Sequence, residues 1–207
     1  VHTRRTSLEP VNKSDLSVIV LTGGSSTRMG SDKANLNFGP GTLLQFQLNQ
    51  IPNNIAIIVV GDVADAGSNV VFTREDPPST GPVAAIAAGL ELVVTAGVLL
   101  LAVDTPFAAP HLLTLNLTPG HSAIVPQDLN GKAQYLAGLY RSDSLRHALE
   151  KIGSPENRSM RELISHLPAV EFIELDSDNA HDFIDLDTPE DVTDARETLR
   201  SRPTVEP

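Results

Sequence analysis

The sequence predicts an α/β fold: a doubly wound, mostly parallel sheet with helices on both faces, partly antiparallel in its second half. Three observations carry that expectation. Short apolar runs rich in Val, Ile and Leu recur at residues 17–22, 56–61, 69–72 and 97–104, as suits strands buried on both faces. Between them lie helical segments, 42–51 and the Ala-rich 82–93, and strand–helix alternation of this kind argues for helices covering a parallel sheet. The turn "DLNGK" (128–132) then separates two further strand-like runs, 121–127 and 134–141, which brings an antiparallel pair into the sheet.

The remaining elements follow in order. Residues 144–153 and 159–167 read as amphipathic helices and 169–175 as a strand. A last strand-like run, "DFIDLD" (182–187), leads into a well-marked helix start. Thr188 is its expected N-cap, Pro189 its first helical residue, and Asp191 stands three residues after the cap. Residues 1–14 and 201–207 read as loose tails, leaving 15–200 as one domain.

Composition narrows the function. Apolar residues make up 41% of the 207, and a chain of this length buries roughly 70% of its unfolded surface without a metal or disulfide staple. The absence of cysteine excludes disulfides, cysteine zinc sites and a thiol nucleophile. The opening residues lack the apolar core of a signal peptide, and no run reaches the ~18 apolar residues of a membrane span. The expected location is cytoplasmic. Fifteen basic residues against 26 acidic give a net charge of −11, which argues against nucleic acid or an anionic membrane as partner. A small anionic substrate would need local cations and a metal to offset repulsion.

Ligands of such sheets gather at the carboxyl ends of the strands. The first strand ends in the loop "LTGGSSTRMGSDKANL" (21–36). Gly23 and Gly24 can bring backbone N–H groups close to phosphate oxygens, Arg28 offers a planar fork, and Lys33 a point charge. Neither a Walker loop nor G-x-G-x-x-G is present, and a plain turn is the rival reading. Asp104 closes the run "VLLLAV". A carboxylate so near a core needs a partner, and metal ligation, most simply of Mg²⁺, competes evenly with capping the turn before Pro106. Asp185 and Asp187, two apart, would face the same side of a strand. They suit a cation between them, or a solvated strand end. Asp76 lies in a loop where a surface acid is the ordinary reading. The histidines (His2, His111, His121, His147, His166, His181) lack metal-ligand spacing, and Tyr135 and Tyr140 read as packing residues.

These features come together in one family. The 21–36 loop resembles the L-A-G-G-x-S-x-R-M-G-x-D-K signature of nucleotidyltransferases similar to molybdenum cofactor guanylyltransferase. "REDPPSTGPVAAIAAGL", "LLLAVDTPF" and "DFIDLDTPEDV" resemble three further segments of that family, so the likeness spans residues 17–195. It implies a Rossmann-like domain that binds GTP and Mg²⁺ and transfers GMP to the terminal phosphate of molybdopterin, releasing pyrophosphate. Leu21, Thr22, Gly23 and Gly24 would then contact the nucleotide, and Arg28 and Lys33 its phosphates. Asp76 would stand near the nucleotide, Asp104 would ligate the metal, and Asp185 and Asp187 would lie near metal or phosphates. Arg28, Lys33 and Asp104 are thus the expected catalytic residues. Molybdoenzymes or their chaperones are the protein partners that the family implies.

Thr22 stands where Ala is usual, Asp185 and Asp187 where some members have Asn, and 133–141 lacks the His-Pro of part of the family. Arg141, Arg158 and Arg161 are candidates for the acceptor phosphate, beside their plainer reading as surface or helix charges. The alternatives are a cytidylyltransferase on the same cofactor, another small-molecule phosphate nucleotidyltransferase, and a non-catalytic nucleotide-binding protein.

Overall fold

A computed structural model describes residues 11–12, 14–23, 33–62, 70–177 and 179–201. The apolar runs become β1 (Leu16–Leu21), β4 (Ala56–Val60), β5 (Val70–Thr73) and β6 (Gly97–Ala102). A two-stranded ribbon of β2 (Asn37–Phe38) and β3 (Gly41–Thr42) stands apart from the main sheet. It leads into α1 (Leu43–Leu48), where Thr42 and Gln45 form a reciprocal capping box. Then come α2 (Pro82–Leu90), α3 (Ala108–Leu112), β7 (Ala123–Gln127) and β8 (Ala137–Arg141). The chain continues through α4 (Ser142–Ile152), α5 (Met160–Ser165), β9 (Val170–Glu174) and α6 (Pro189–Ser201).

Seven strands form one sheet in the order β5-β4-β1-β6-β8-β7-β9. β8 runs antiparallel to both β6 and β7, and the other pairings are parallel. The expected mostly parallel sheet with an antiparallel part in the second half is what forms. Register brings three strand ends level, Leu21 lying beside Val60 on one side and Ala102 on the other. The carboxyl ends of β4, β1 and β6 therefore open onto one edge. Since β8 is reversed, its first residue, Ala137, pairs with Leu101 at that same edge.

Period-two alternation along β1 divides the core. Val18 and Val20 pack on one face with Leu43, Leu44, Leu112 and Val192, while Ile19 and Leu21 pack on the other with Val83, Ile86, Leu145 and Leu163. Burying each Val, Leu or Ile side chain contributes about 1.5–3 kcal/mol, so both faces need their helices. The α2 contact is close: a Cβ on Gly89 would lie 3.0 Å from methyl carbons of both Ile19 and Val60. No helix among the described residues is long and apolar enough to cross a membrane.

Two local expectations are corrected. Residues 182–187 do not form a strand: Ala180–Phe183 is a 3-10 turn and the chain then runs irregularly to α6. The helix expected over 82–93 ends at Leu90. The α6 start is as read, with Asp191 N–H donating to Thr188 Oγ1 (3.1 Å) and Thr188 N–H to Asp191 Oδ2 (2.7 Å).

Candidate functional site

The edge where β1, β4 and β6 end gathers most of the candidate site residues. Thr22 fastens the first two ends together, its N–H and its hydroxyl each donating to Val60 O at 3.0 Å. Gly61, at φ +140°, admits this contact, because a Cβ there would run into the Thr22 hydroxyl. The Leu21 side chain belongs to the core and its carbonyl accepts from Val103 N–H at 3.0 Å. Gly23 is exposed just beyond. Gly24 and Arg28 lie outside the described residues.

Lys33 opens a 3-10 turn, Lys33–Asn35, that delivers its ammonium group back to the sheet edge. The nitrogen lies 3.2 Å from Asp104 Oδ2 and 2.8 Å from Asp187 Oδ1, with the lysine side chain only 10% exposed. Burial pulls the Lys33 pKa down, but hydrogen bonding and charge from Asp187 and Asp104 outweigh it and the value rises. At Asp104 burial is the largest influence and lifts the carboxyl, with Lys33 opposing and Asp185 and Asp187 adding to the rise. The same ion pair thus secures the charge on Lys33 and offsets only part of the burial of Asp104. The reason is that Lys33 has two carboxylates while Asp104 shares one ammonium.

The turn that carries Asp104 is held from below. Thr105 closes it, with N–H and hydroxyl both donating to Ala102 O (3.2 and 3.1 Å), which leaves the Asp104 carboxylate to Lys33. Of the two readings open from sequence, turn capping therefore falls to Thr105. The buried Gln47 donates to Ala102 O (2.9 Å) and Thr105 O (3.2 Å), and Gln50 to Pro106 O (2.6 Å). The Asp104 carbonyl accepts from Leu186 N–H at 2.9 Å, which pins the closing segment to the end of β6.

That pin corrects the expected geometry of Asp185 and Asp187. They flank the buried Leu186 in a tight turn, Asp187 N–H donating to Asp185 O at 3.1 Å, and their carboxylates have different partners. Asp187 meets Lys33, whereas Asp185 Oδ2 lies 3.2 Å from Lys132 Nζ. Asp104, Asp185 and Asp187 nonetheless line one cavity of about 300 Å³, together with Gln134, Tyr135 and Met160.

A hard divalent cation takes one or two carboxylates and completes its shell with water and phosphate oxygens. Asp104 and Asp187, already gathered around a single positive charge, fit that donor set. Among the described residues no group of three or more His, Asp or Glu side chains is gathered for a metal, so the protein alone offers a partial shell that a bound polyphosphate would complete.

Other expected residues lie apart. Asp76 is exposed in the loop after β5, and β4 stands between that strand and β1. Arg141 pairs in register with Gly97, at the opposite edge of the sheet. There its guanidinium donates to His121 O (2.8 Å) and Thr118 O (3.2 Å), and burial lowers its pKa. It is a structural residue, remote from the cavity. Arg158 pairs with Glu162 at 3.1 Å, and Arg161 is exposed on α5. Tyr140 is a packing residue as expected, fully buried with its hydroxyl donating to Tyr135 O at 2.7 Å. Lys132, Gln134 and Tyr135 were not singled out as site residues by sequence reasoning. The only signal was their place at the end of the 128–132 turn and just after it, and which edge that turn occupies depends on a strand order the sequence does not spell out.

Comparison with known proteins gives the family and the fold. Residues 18–170 match the MobA-like NTP transferase domain. A Mycobacterium avium protein named "Probable molybdenum cofactor guanylyltransferase" is 31% identical over 170 residues, covering 76% of this chain and 85% of its own. Among solved structures, molybdopterin-guanine dinucleotide biosynthesis protein A from Archaeoglobus fulgidus superposes with a TM-score of 0.68 at 18% identity, covering 90% of this chain and 100% of its own. The 2-C-methyl-D-erythritol 4-phosphate cytidylyltransferase of Thermus thermophilus does so with 0.66 at 20%, covering 90% and 99%. At such identities the structural likeness speaks for the fold alone. With the domain match spanning most of the chain, this protein belongs to the MobA-like NTP transferase family and is a nucleotidyltransferase.

Proposed function

We propose that the protein transfers GMP from GTP to the terminal phosphate of molybdopterin, releasing pyrophosphate. The observation that carries the reading is the Lys33 ammonium held between Asp104 and Asp187 beside the cavity at the sheet edge. The name of the M. avium relative supports the choice of nucleotide and acceptor. In the reaction an acceptor phosphate oxygen attacks the α-phosphorus of GTP, the α–β phosphoanhydride bond breaks, and pyrophosphate leaves with the bonding electron pair. The acceptor phosphate is ionised at neutral pH, so no protein base is required. Positioning and charge neutralisation carry the catalysis.

The chain's residues divide that work. Lys33 places positive charge on the nucleotide phosphates, joined by Arg28 and by backbone N–H groups of Gly23 and Gly24. Leu21 and Thr22 set the end of β1 against the nucleotide, with Asp76 on its outer side. Asp104 and Asp187 would hold Mg²⁺, which when bound supplies charge neutralisation at the phosphates, while Asp185, paired with Lys132 and not gathered with them, lines the cavity beside them. The reaction belongs in the cytoplasm, with a domain spanning 15–200 and the product passed on to molybdoenzymes or their chaperones.

The test is Mg²⁺-dependent pyrophosphate release from GTP and from CTP, each with molybdopterin as acceptor. Release with GTP upholds the reading. Release with CTP alone changes the nucleotide, and release with neither removes molybdopterin as the acceptor.

A further inference from the structure

Among the described residues, two lysines are ion-paired with carboxylates that line the cavity: Lys33, given above to the nucleotide, and Lys132. Nothing in the reaction as written uses Lys132. Its setting is nonetheless built. The β7–β8 turn is fastened on the Asp128 side chain, whose Oδ1 accepts the N–H of Asn130 and of Lys132 itself, each at 2.9 Å. Asp128 N–H donates in turn to Lys132 O at 3.0 Å. The backbone of Lys132 is therefore fixed while its side chain is 64% exposed. The five residues that follow, Ala133 to Ala137, all line the cavity.

The two lysines are kept on separate carboxylates by Leu186. Because that residue is buried and tied to the Asp104 carbonyl, Asp185 and Asp187 take different partners on its two sides. A transfer between two anions inside a chain of net charge −11 must neutralise each of them at its own position. Lys33 answers for one. An exposed lysine–carboxylate pair is weak in water, whereas a doubly ionised phosphate offers more charge and more acceptor oxygens to the same ammonium group.

We infer that Lys132 is the acceptor-side phosphate contact: its ammonium leaves Asp185 for a phosphate monoester entering the cavity, and so favours acceptors whose phosphate reaches the β7–β8 turn. The inference rests on the guanylyl-transfer reading for the identity of the acceptor, and on geometry for the subsite.

Steady-state kinetics on the full chain decides it, with molybdopterin varied at saturating GTP and GTP varied at saturating molybdopterin. Lys132→Gln is expected to raise the acceptor KM by roughly tenfold while kcat and the KM for GTP stay within about twofold, with Lys132→Arg restoring most of the difference. An unchanged acceptor KM overturns the inference, and so does an equal rise in the KM for GTP. Should the wild type turn over neither substrate pair, the guanylyl-transfer reading falls and calorimetry with inorganic phosphate judges the subsite by itself. A Kd raised roughly fivefold or more in Lys132→Gln upholds the subsite, and an unchanged Kd overturns it.

Discussion

Replacing Asp104 by Asn separates what the residue does for the fold from what it does for the chemistry. The amide keeps the shape and removes the charge. Lys33 is not orphaned, because Asp187 remains at 2.8 Å, and the bond from Leu186 N–H to residue 104 is a backbone bond that survives. The lost ion pair is partly buried, with the carboxylate 28% and the lysine 10% exposed, but Lys33 keeps Asp187 as a partner, so its loss costs about 1–2 kcal/mol, above a surface pair and below a fully buried one. Opposing that loss, burial already disfavours the charged form of Asp104, so the neutral amide recovers part of it. The net change in stability is expected to stay within about 1 kcal/mol, a Tm shift of no more than about 2–4 °C for a chain of this size. Turnover should nevertheless fall by about 10²–10³-fold, on the scale of removing one group from a preorganised electrostatic site. The assay is pyrophosphate release beside thermal unfolding of the same preparation. Activity within twofold of wild type would remove Asp104 from the mechanism. A collapse in Tm that accompanied the lost activity would assign it a structural role.

Other perturbations test the surroundings. Gly61→Ala forces a side chain into a positive-φ position against the Thr22 hydroxyl; it should cost about 1–3 kcal/mol in urea denaturation and weaken nucleotide binding measured by calorimetry. Tyr140→Phe removes the buried donor to Tyr135 O and should lower stability by about 1–2 kcal/mol with packing unchanged, an outcome readable from a denaturation midpoint. Hydrogen bonds from Thr188, side chain first and then N–H, hold the Asp191 carboxyl below its ordinary 3.8. The folded value being depressed, the capping box contributes its full stability above pH 3.8 and loses it as pH falls through the lower folded value. Asp191→Asn should therefore lower stability at neutral pH and flatten the acid limb of an unfolding–pH curve.

The central strands were readable because burial on both faces writes an unbroken apolar run, as in Val18 to Leu21 and Val98 to Leu101, and the α6 start because capping is local chemistry. The run at 182–187 misled for an instructive reason. Its apolar residues Phe183, Ile184 and Leu186 read as a short strand, but Phe183 ends a 3-10 turn and Leu186 N–H goes to the Asp104 carbonyl, a tertiary partner that no local pattern shows. Arg141 misled in the opposite sense, since a lone arginine at a strand end reads the same whether it faces a ligand or caps two carbonyls; the reversal of β8 decides which edge it occupies. The Asp104 cluster was legible as residue types but not as contacts. The ion pair of Lys132 with Asp185 spans 53 positions, and nothing local in either segment points to the other.

The tie between Leu186 and the Asp104 carbonyl has a consequence for the order in which the molecule comes into being. Lys33 and Asp187 stand 154 positions apart, so the pair closes one of the longest loops among the described residues, and contacts of such separation form late in folding. During synthesis the sheet strands through β6 can pair while the closing segment is still inside the ribosome. Lys33 then waits without Asp187, and the cavity lacks two of its three carboxylates, until residue 187 has emerged and docked. Assembly of the cluster is coupled to completion of the chain, and a nascent or truncated protein ending before Leu186 carries Lys33 and Asp104 without the segment that brings Asp187 and Asp185 to them.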